Sequence, residues 1–177
     1  MKSPEQLGFD RVLPMTVKGY VADWDSSKHH LTLLREGYVP YHWRDTRSFD
    51  PDQYEPKEGE DGRSMNNAKG TMNRMSELSQ AGGEAAIRAE NHENKIFVGT
   101  VSPGCLWTGD VSFPNTTMTM KGFRFDRVAE VSASDSDIAA RVIDNVESYP
   151  HGTLGNAKDD SSLIRDLVRQ LEGADRL

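Results

Sequence analysis

Three tryptophans, Trp24, Trp43 and Trp107, fall at or beside predicted strand ends or in a loop. Aromatic rings at the mouth of a small barrel can stack a planar base, because every base has an apolar face, and each stack is worth about 1–3 kcal/mol. The competing assignment for each ring is core or rim packing.

Other residue types point to weaker chemistries. Five histidines, at 29, 30, 42, 92 and 151, form no i, i+4 helical pair and join no second cysteine, so the spacing of a structural metal site is missing and no metal or other cofactor is expected. His42 stands out in Tyr41-His42-Trp43-Arg44-Asp45, among donors and an aromatic. Glu93-Asn94-Lys95 matches the acidic-x-Lys element of metal-dependent nucleases, in which the carboxylate holds Mg²⁺ and the lysine orients the attacking water. Asp50 or Asp52 would supply the second acid. The pattern has only two fixed positions and lies at a predicted hairpin tip, where charge also serves solubility. Cys105, in Ser102-Pro103-Gly104-Cys105, could act as a nucleophile with His42, His92 or His151 as base, against the plainer role of a small buried thiol. The glycines at 99, 104 and 109 fit neither phosphate-cradling spacing.

Composition bounds these options. A length of 177 residues predicts one domain over 1–177, and a hydrophobic share of 36% predicts a core interrupted by polar loops. Twenty-one basic against 28 acidic residues give a net charge of −7, which argues against coating nucleic acid or anionic membrane by bulk attraction. A single cysteine excludes an internal disulfide, and no apolar run approaches a bilayer span, so a soluble cytoplasmic protein without a membrane partner is expected.

The elements that must position these residues follow from periodicity and punctuation. Thr16–Ala22 alternates like a strand, Lys28–Glu36 reads as a short helix stopped by Gly37, and Tyr38–Trp43 as a strand. Arg44–Asn67 is polar and reads as a long loop, anchored by Phe49, Tyr54 and Met65. Met72, Met75 and Leu78 have helical spacing in Ala68–Gln80, ended by Gly82-Gly83. Ala85–Ala89 and Lys95–Val101 make a hairpin, and Ser102–Asn115, with two prolines and two glycines, reads as a second irregular loop. Thr116–Val131 looks like one long strand. In it a bulge at Gly122 would bring Met118, Met120, Phe123 and Phe125 to one side and curl the sheet towards a barrel. Two amphipathic helices close the chain, Ser134–Glu147 and Asp159–Glu172, the second with Leu163, Ile164, Leu167, Val168 and Leu171 on one face. The predicted class is α+β: a curled, mostly antiparallel sheet or small β-barrel with flanking helices.

The order of these elements resembles the PUA-like superfamily, and within it the EVE-type domains found beside modification-dependent restriction systems. The matching pieces are Tyr20–Trp24, Gly37-Tyr38 through Trp43, Met72–Gly83, Ala85–Ala89, Val98-Gly99-Thr100-Val101, Phe123–Val131 as a later barrel strand, and Gly152-Thr153-Leu154 before the terminal helix. The family commonly has an Asp after the glycine that enters the central strand, whereas here Gly83 is followed by Glu84. The resemblance implies an aromatic-lined pocket for a flipped, modified base or a nucleotide, in the setting of a defence system, with binding and no chemistry. Carried over by position, its lining would be Trp24, Trp43, Arg44, Ser102 and Trp107. A metal-dependent nuclease using Glu93 and Lys95, and a protein-interaction domain using the terminal helix, are the rival readings.

Overall fold

The computed structural model describes residues 11–16, 27–41, 48–56, 58–88, 94–113, 116–148, 157 and 161–177. Among them the architecture is α+β, with two antiparallel sheets and four α-helices. β1 (Arg11–Thr16), β5 (Leu106–Phe113), β6 (Thr116–Arg124) and β2 (Tyr38–Tyr41) form a four-stranded sheet in that order. β3 (Gly83–Arg88), β4 (Lys95–Val101) and β7 (Arg127–Ser132) form a three-stranded one. The two sheets are not closed into a barrel, so the expected barrel gives way to a pair of open sheets.

The helices are cut where the backbone chemistry dictates. α1 (Ser27–Arg35) stops at Gly37, which takes φ 87° and donates its N–H to Leu34 O at 3.0 Å. α2 (Gly62–Ala81) starts six residues before its apolar periodicity begins. The reason is Asp61, whose carboxylate accepts from Ser64 N at 2.6 Å and satisfies a free end of the helix; that acceptance also holds the carboxyl below its usual range. The predicted loop to Asn67 is therefore shorter than expected, with a 3-10 turn at Pro51–Gln53 inside it. α3 (Asp137–Ser148) and α4 (Ser161–Gly173) follow the predicted faces, and all five apolar residues of α4 are buried.

Two expectations about strands are corrected. Ser102–Asn115 is not an irregular loop: from Leu106 it is β5, a central strand paired with β1 on one side and β6 on the other. Thr116–Val131 is not one strand but two, β6 and β7, in different sheets. The chain crosses between them at Phe125-Asp126, where Phe125 N–H donates to Gly37 O and Asp126 N–H to Thr100 O, both at 2.8 Å. The strand observed here is β1, Arg11–Thr16, ahead of the expected Thr16–Ala22 and shared with it only at Thr16; residues 17–22 lie outside the described residues, as does Trp43 beyond the end of β2.

Gly122 makes no bulge, because β6 keeps register through it on both sides. Its missing side chain serves a close approach: a Cβ there would lie 2.8 Å from the Val39 carbonyl carbon and 2.9 Å from Trp107 Nε1. Met120 and Phe123 are both fully buried because both faces of the sheet are covered at that level; Phe125 is buried as well, while the Met118 side chain lies outside the description. One core joins Val39, Leu106 and Phe123 to Ala85, Ile87, Phe97 and Val101 of the other sheet, with Leu34, Phe49, Met75 and Phe125. A second core lies on the opposite face of the three-stranded sheet, where Ile96, Val98, Ala129 and Val131 meet α3 and α4.

Candidate functional site

Side chains alternate along paired strands, so the two faces of the four-stranded sheet can be read from register. One face carries Trp107, Met120, Gly122, Arg124 and Tyr38. Trp107 is 2% exposed, its indole N–H donates to Phe123 O at 3.2 Å, and its ring meets Tyr38 edge-on with centroids 5.9 Å apart. Arg124 lies 5.4 Å over the Tyr38 ring. Trp107 is thus a packing residue in a central strand, with no open face for stacking in this arrangement.

The other face carries Leu106, Thr108, Lys121 and Phe123. Lys121 is 1% exposed, its ammonium donates to Ser48 O at 2.6 Å, and it sits 5.5 Å from the Phe49 ring centroid. Burial pulls its pKa down to about 8. Thr108, directly opposite in register, is 2% exposed, and among the described residues its Oγ1 finds no hydrogen-bond partner, nor does Thr71 Oγ1 on α2. Sequence reasoning missed Lys121 because the expected bulge reassigned parity at Gly122. With the register unbroken, Lys121 must share the inward face of Phe123 two residues on, and that parity was the available signal.

Of the remaining predicted residues, Trp24, Trp43 and Arg44 lie outside the described residues, as do all five histidines except for the backbone of His29 and His30 in α1. Ser102 is exposed and donates its hydroxyl to Asp126 Oδ2 at 2.6 Å. That bond ties the turn before β5 to the crossing between β6 and β7, and in the same turn the Cys105 thiol bonds to Ser102 O and approaches Asp126 Oδ1 at 3.7 Å. Burial, followed by the Asp126 charge, raises the thiol pKa, which is the reverse of what an activated nucleophile needs.

The nuclease constellation is not assembled among the described residues. Glu93 lies outside them, Lys95 pairs with Glu130 at 3.4 Å, and Asp50 accepts from Asp52 N at 3.0 Å and Gln53 Nε2 at 3.3 Å as the cap of the 3-10 turn. No group of three or more potential metal ligands occurs among the described residues. Glu130 also receives Arg35 Nε at 2.8 Å, a bond that raises the arginine's pKa, and Arg176 reaches the Glu130 carbonyl and, at 2.9 Å, Asp135. These charges tie α1, β4, β7 and the C-terminal turn together and are mostly half-exposed, so each adds little stability.

No described helix is long and apolar enough to cross a membrane. Comparison of the chain with protein-family models, curated proteins and solved structures finds no match.

Proposed function

We propose that the chain is a binding module, without chemistry of its own, that takes a planar base of a nucleotide or nucleic acid in the manner of the PUA-like, EVE-type domains it resembles. The observation that supports this reading is the rooting of the segment that carries Trp43 and Arg44. Residues 42–47 lie in the chain between Tyr41, the last described residue of β2 and the register partner of Lys121, and Ser48, whose carbonyl accepts from the Lys121 ammonium. Both roots are fixed on one buried residue of β6. A six-residue segment with an aromatic, a histidine and two arginines between two such fixed ends suits recognition, because the scaffold bears the cost of order before the ligand arrives.

In this reading stacking falls to Trp43 and Trp24, while the buried Trp107 packs in the sheet. With a net charge of −7, affinity comes from stacking more than from phosphate contacts, and few counterions are released on binding.

The test is titration of tryptophan fluorescence with normal and modified nucleotides and short oligonucleotides at two salt concentrations. Quenching that changes little with salt, and that weakens by about 1–3 kcal/mol in Trp43→Ala, is the expected result. Absence of quenching by any nucleic acid would defeat the reading. Cleavage that requires Mg²⁺ and disappears in Glu93→Gln would replace it with the nuclease.

A further inference from the structure

A sheet edge offers a row of backbone N–H and C=O groups to any extended chain, and folded proteins block such edges by recognisable devices. Among the described residues the two sheets end in β1, β2, β3 and β7, and all but β3 carry such a device. β1 holds Pro14 and a register break between Pro14 and Thr16, and β2 holds Pro40; a proline has no N–H to offer at an edge. On β7 the Arg176 guanidinium donates to the Glu130 carbonyl at 3.3 Å. β3 differs. Its residues Gly83–Arg88 run in unbroken register with β4 and include no proline or lysine, and among the described residues no backbone bond reaches them from outside the sheet. The strand is also accessible: Gly83 and Arg88 are exposed, Ala86 is half-buried and the Glu84 side chain is 31% exposed.

The side chains of this edge fit a second copy of it. Ala85 and Ile87 point into the first core while Ala86 packs against the helix-covered one, so Glu84, Ala86 and Arg88 share the helix side. Two copies that meet edge to edge about a two-fold axis normal to the sheet run antiparallel and keep their helices on one side, so residues set opposite each other have the same parity. Centring the axis on Ala86 sets Glu84 opposite Arg88 of the second copy, Arg88 opposite its Glu84, and Ala85 opposite its Ile87. A shift of two residues either way sets Glu84 or Arg88 against Ala86 and loses both charge pairs. Within its own chain Glu84 meets Arg165 Nε at 3.4 Å between partly exposed side chains, a weak contact that leaves the carboxylate able to turn to the second copy.

We propose that β3 is a self-association edge: two copies of the chain join antiparallel through it into one continuous sheet, registered at Ala86 by reciprocal Glu84–Arg88 pairs. A strand of six residues falls well short of the roughly 20–30 residues a side of a stable interface, so the dimer is weak and concentration-dependent. It is separate from the base-binding reading and does not rest on it.

The experiment is sedimentation velocity of the full chain across a wide range of protein concentration. Wild type should pass from monomer towards twice the mass. Glu84→Arg and Arg88→Glu each set like charges opposite each other at both pairs, and each should weaken association at least about tenfold. An equimolar mixture of the two variants puts opposite charges back at both pairs and should recover wild-type association, which a folding defect in either variant would not do. In wild type, amide exchange within residues 84–88 should also slow as concentration rises. A wild type that stays monomeric at every concentration would overturn the proposal and leave the edge to an extended segment of another protein. A dimer that neither reversal weakens, that mixing fails to restore, or that leaves exchange in residues 84–88 unchanged would overturn it as well.

Discussion

Adding one methyl group at Gly122 and one at Gly70 should move stability in opposite directions. Gly70 lies inside α2, and a Cβ there meets nothing within 4 Å. Gly70→Ala therefore adds no clash, and removing glycine's unfolded-state freedom from a helix interior should stabilise by about 0.5–1 kcal/mol. At Gly122 the Cβ would penetrate the Val39 carbonyl, with its carbon at 2.8 Å and Trp107 Nε1 at 2.9 Å. Neither obstacle is a flexible side-chain end. Val39 O belongs to the strand paired with β6, and Trp107 is pinned by its bond to Phe123 O and its contact with Tyr38. Relief must separate β2 from β6 or displace the indole, at a cost of one net hydrogen bond, about 1 kcal/mol, and an overpacking strain of about 1–3 kcal/mol. Gly122→Ala should thus destabilise by about 2–4 kcal/mol. Urea unfolding followed by far-UV circular dichroism measures both variants on one scale, free of the tryptophan signal. A Gly122→Ala midpoint within the error of wild type would refute the close-approach argument, and a Gly70→Ala loss above 1 kcal/mol would refute the open-space one.

Four further outcomes are expected. Leu167→Ala, at a 1% exposed position in the helix-covered core, should cost about 2–5 kcal/mol in the same assay. Wild type should gain stability relative to Lys121→Met as pH rises from about 8 to 10.5. The unfolded lysine binds its proton more tightly than the folded one, whose pKa is about 8, so folding releases the proton across that window, and at about 1.4 kcal/mol per pH unit the gain is at most about 3 kcal/mol; parallel curves for the two proteins would count against burial of the ammonium. Trp43→Ala should weaken base binding by about 1–3 kcal/mol in the fluorescence titration. Cys105 should react slowly with a thiol reagent at pH 7 and faster in Asp126→Asn, because the neighbouring charge that helps to raise its pKa is gone.

Local signals were legible where residue type and backbone need coincide. Gly37 and Gly82 end α1 and α2 with positive φ, and the stripe from Leu163 to Leu171 gave α4 and its buried face directly. Non-local choices were not legible. Pro103, Gly104, Gly109 and Pro114 are turn residues by composition, yet Gly109 pairs between Val12 and Met120 in the middle of a sheet, because neighbours on both sides override its weak strand preference. Phe123, Phe125 and Val128 continue an apolar pattern across a sheet change, and only the partners of Phe125 and Asp126, Gly37 and Thr100, reveal the crossing. For the candidate site, Trp107 carried the right elements of a stacking residue but its burial depended on Tyr38 and on Gly122, distant in sequence. Lys121 was concealed by its own charge, which ordinarily marks a solvent position.

The three-stranded sheet has no solvent face to give up. Phe97 and Val101 point into one core while Ile96 and Val98, on the same strand, point into the other, and β4 is hydrogen-bonded to β3 and β7 along its length. A strand in that position cannot open to solvent by loss of either layer alone. Its amides should be the last in the molecule to exchange with deuterium, at rates that report global unfolding, whereas those of the β1 edge should exchange through smaller local openings. The two cores are therefore one cooperative unit in the exchange experiment, joined through a sheet whose three strands line both, with β4 at its centre.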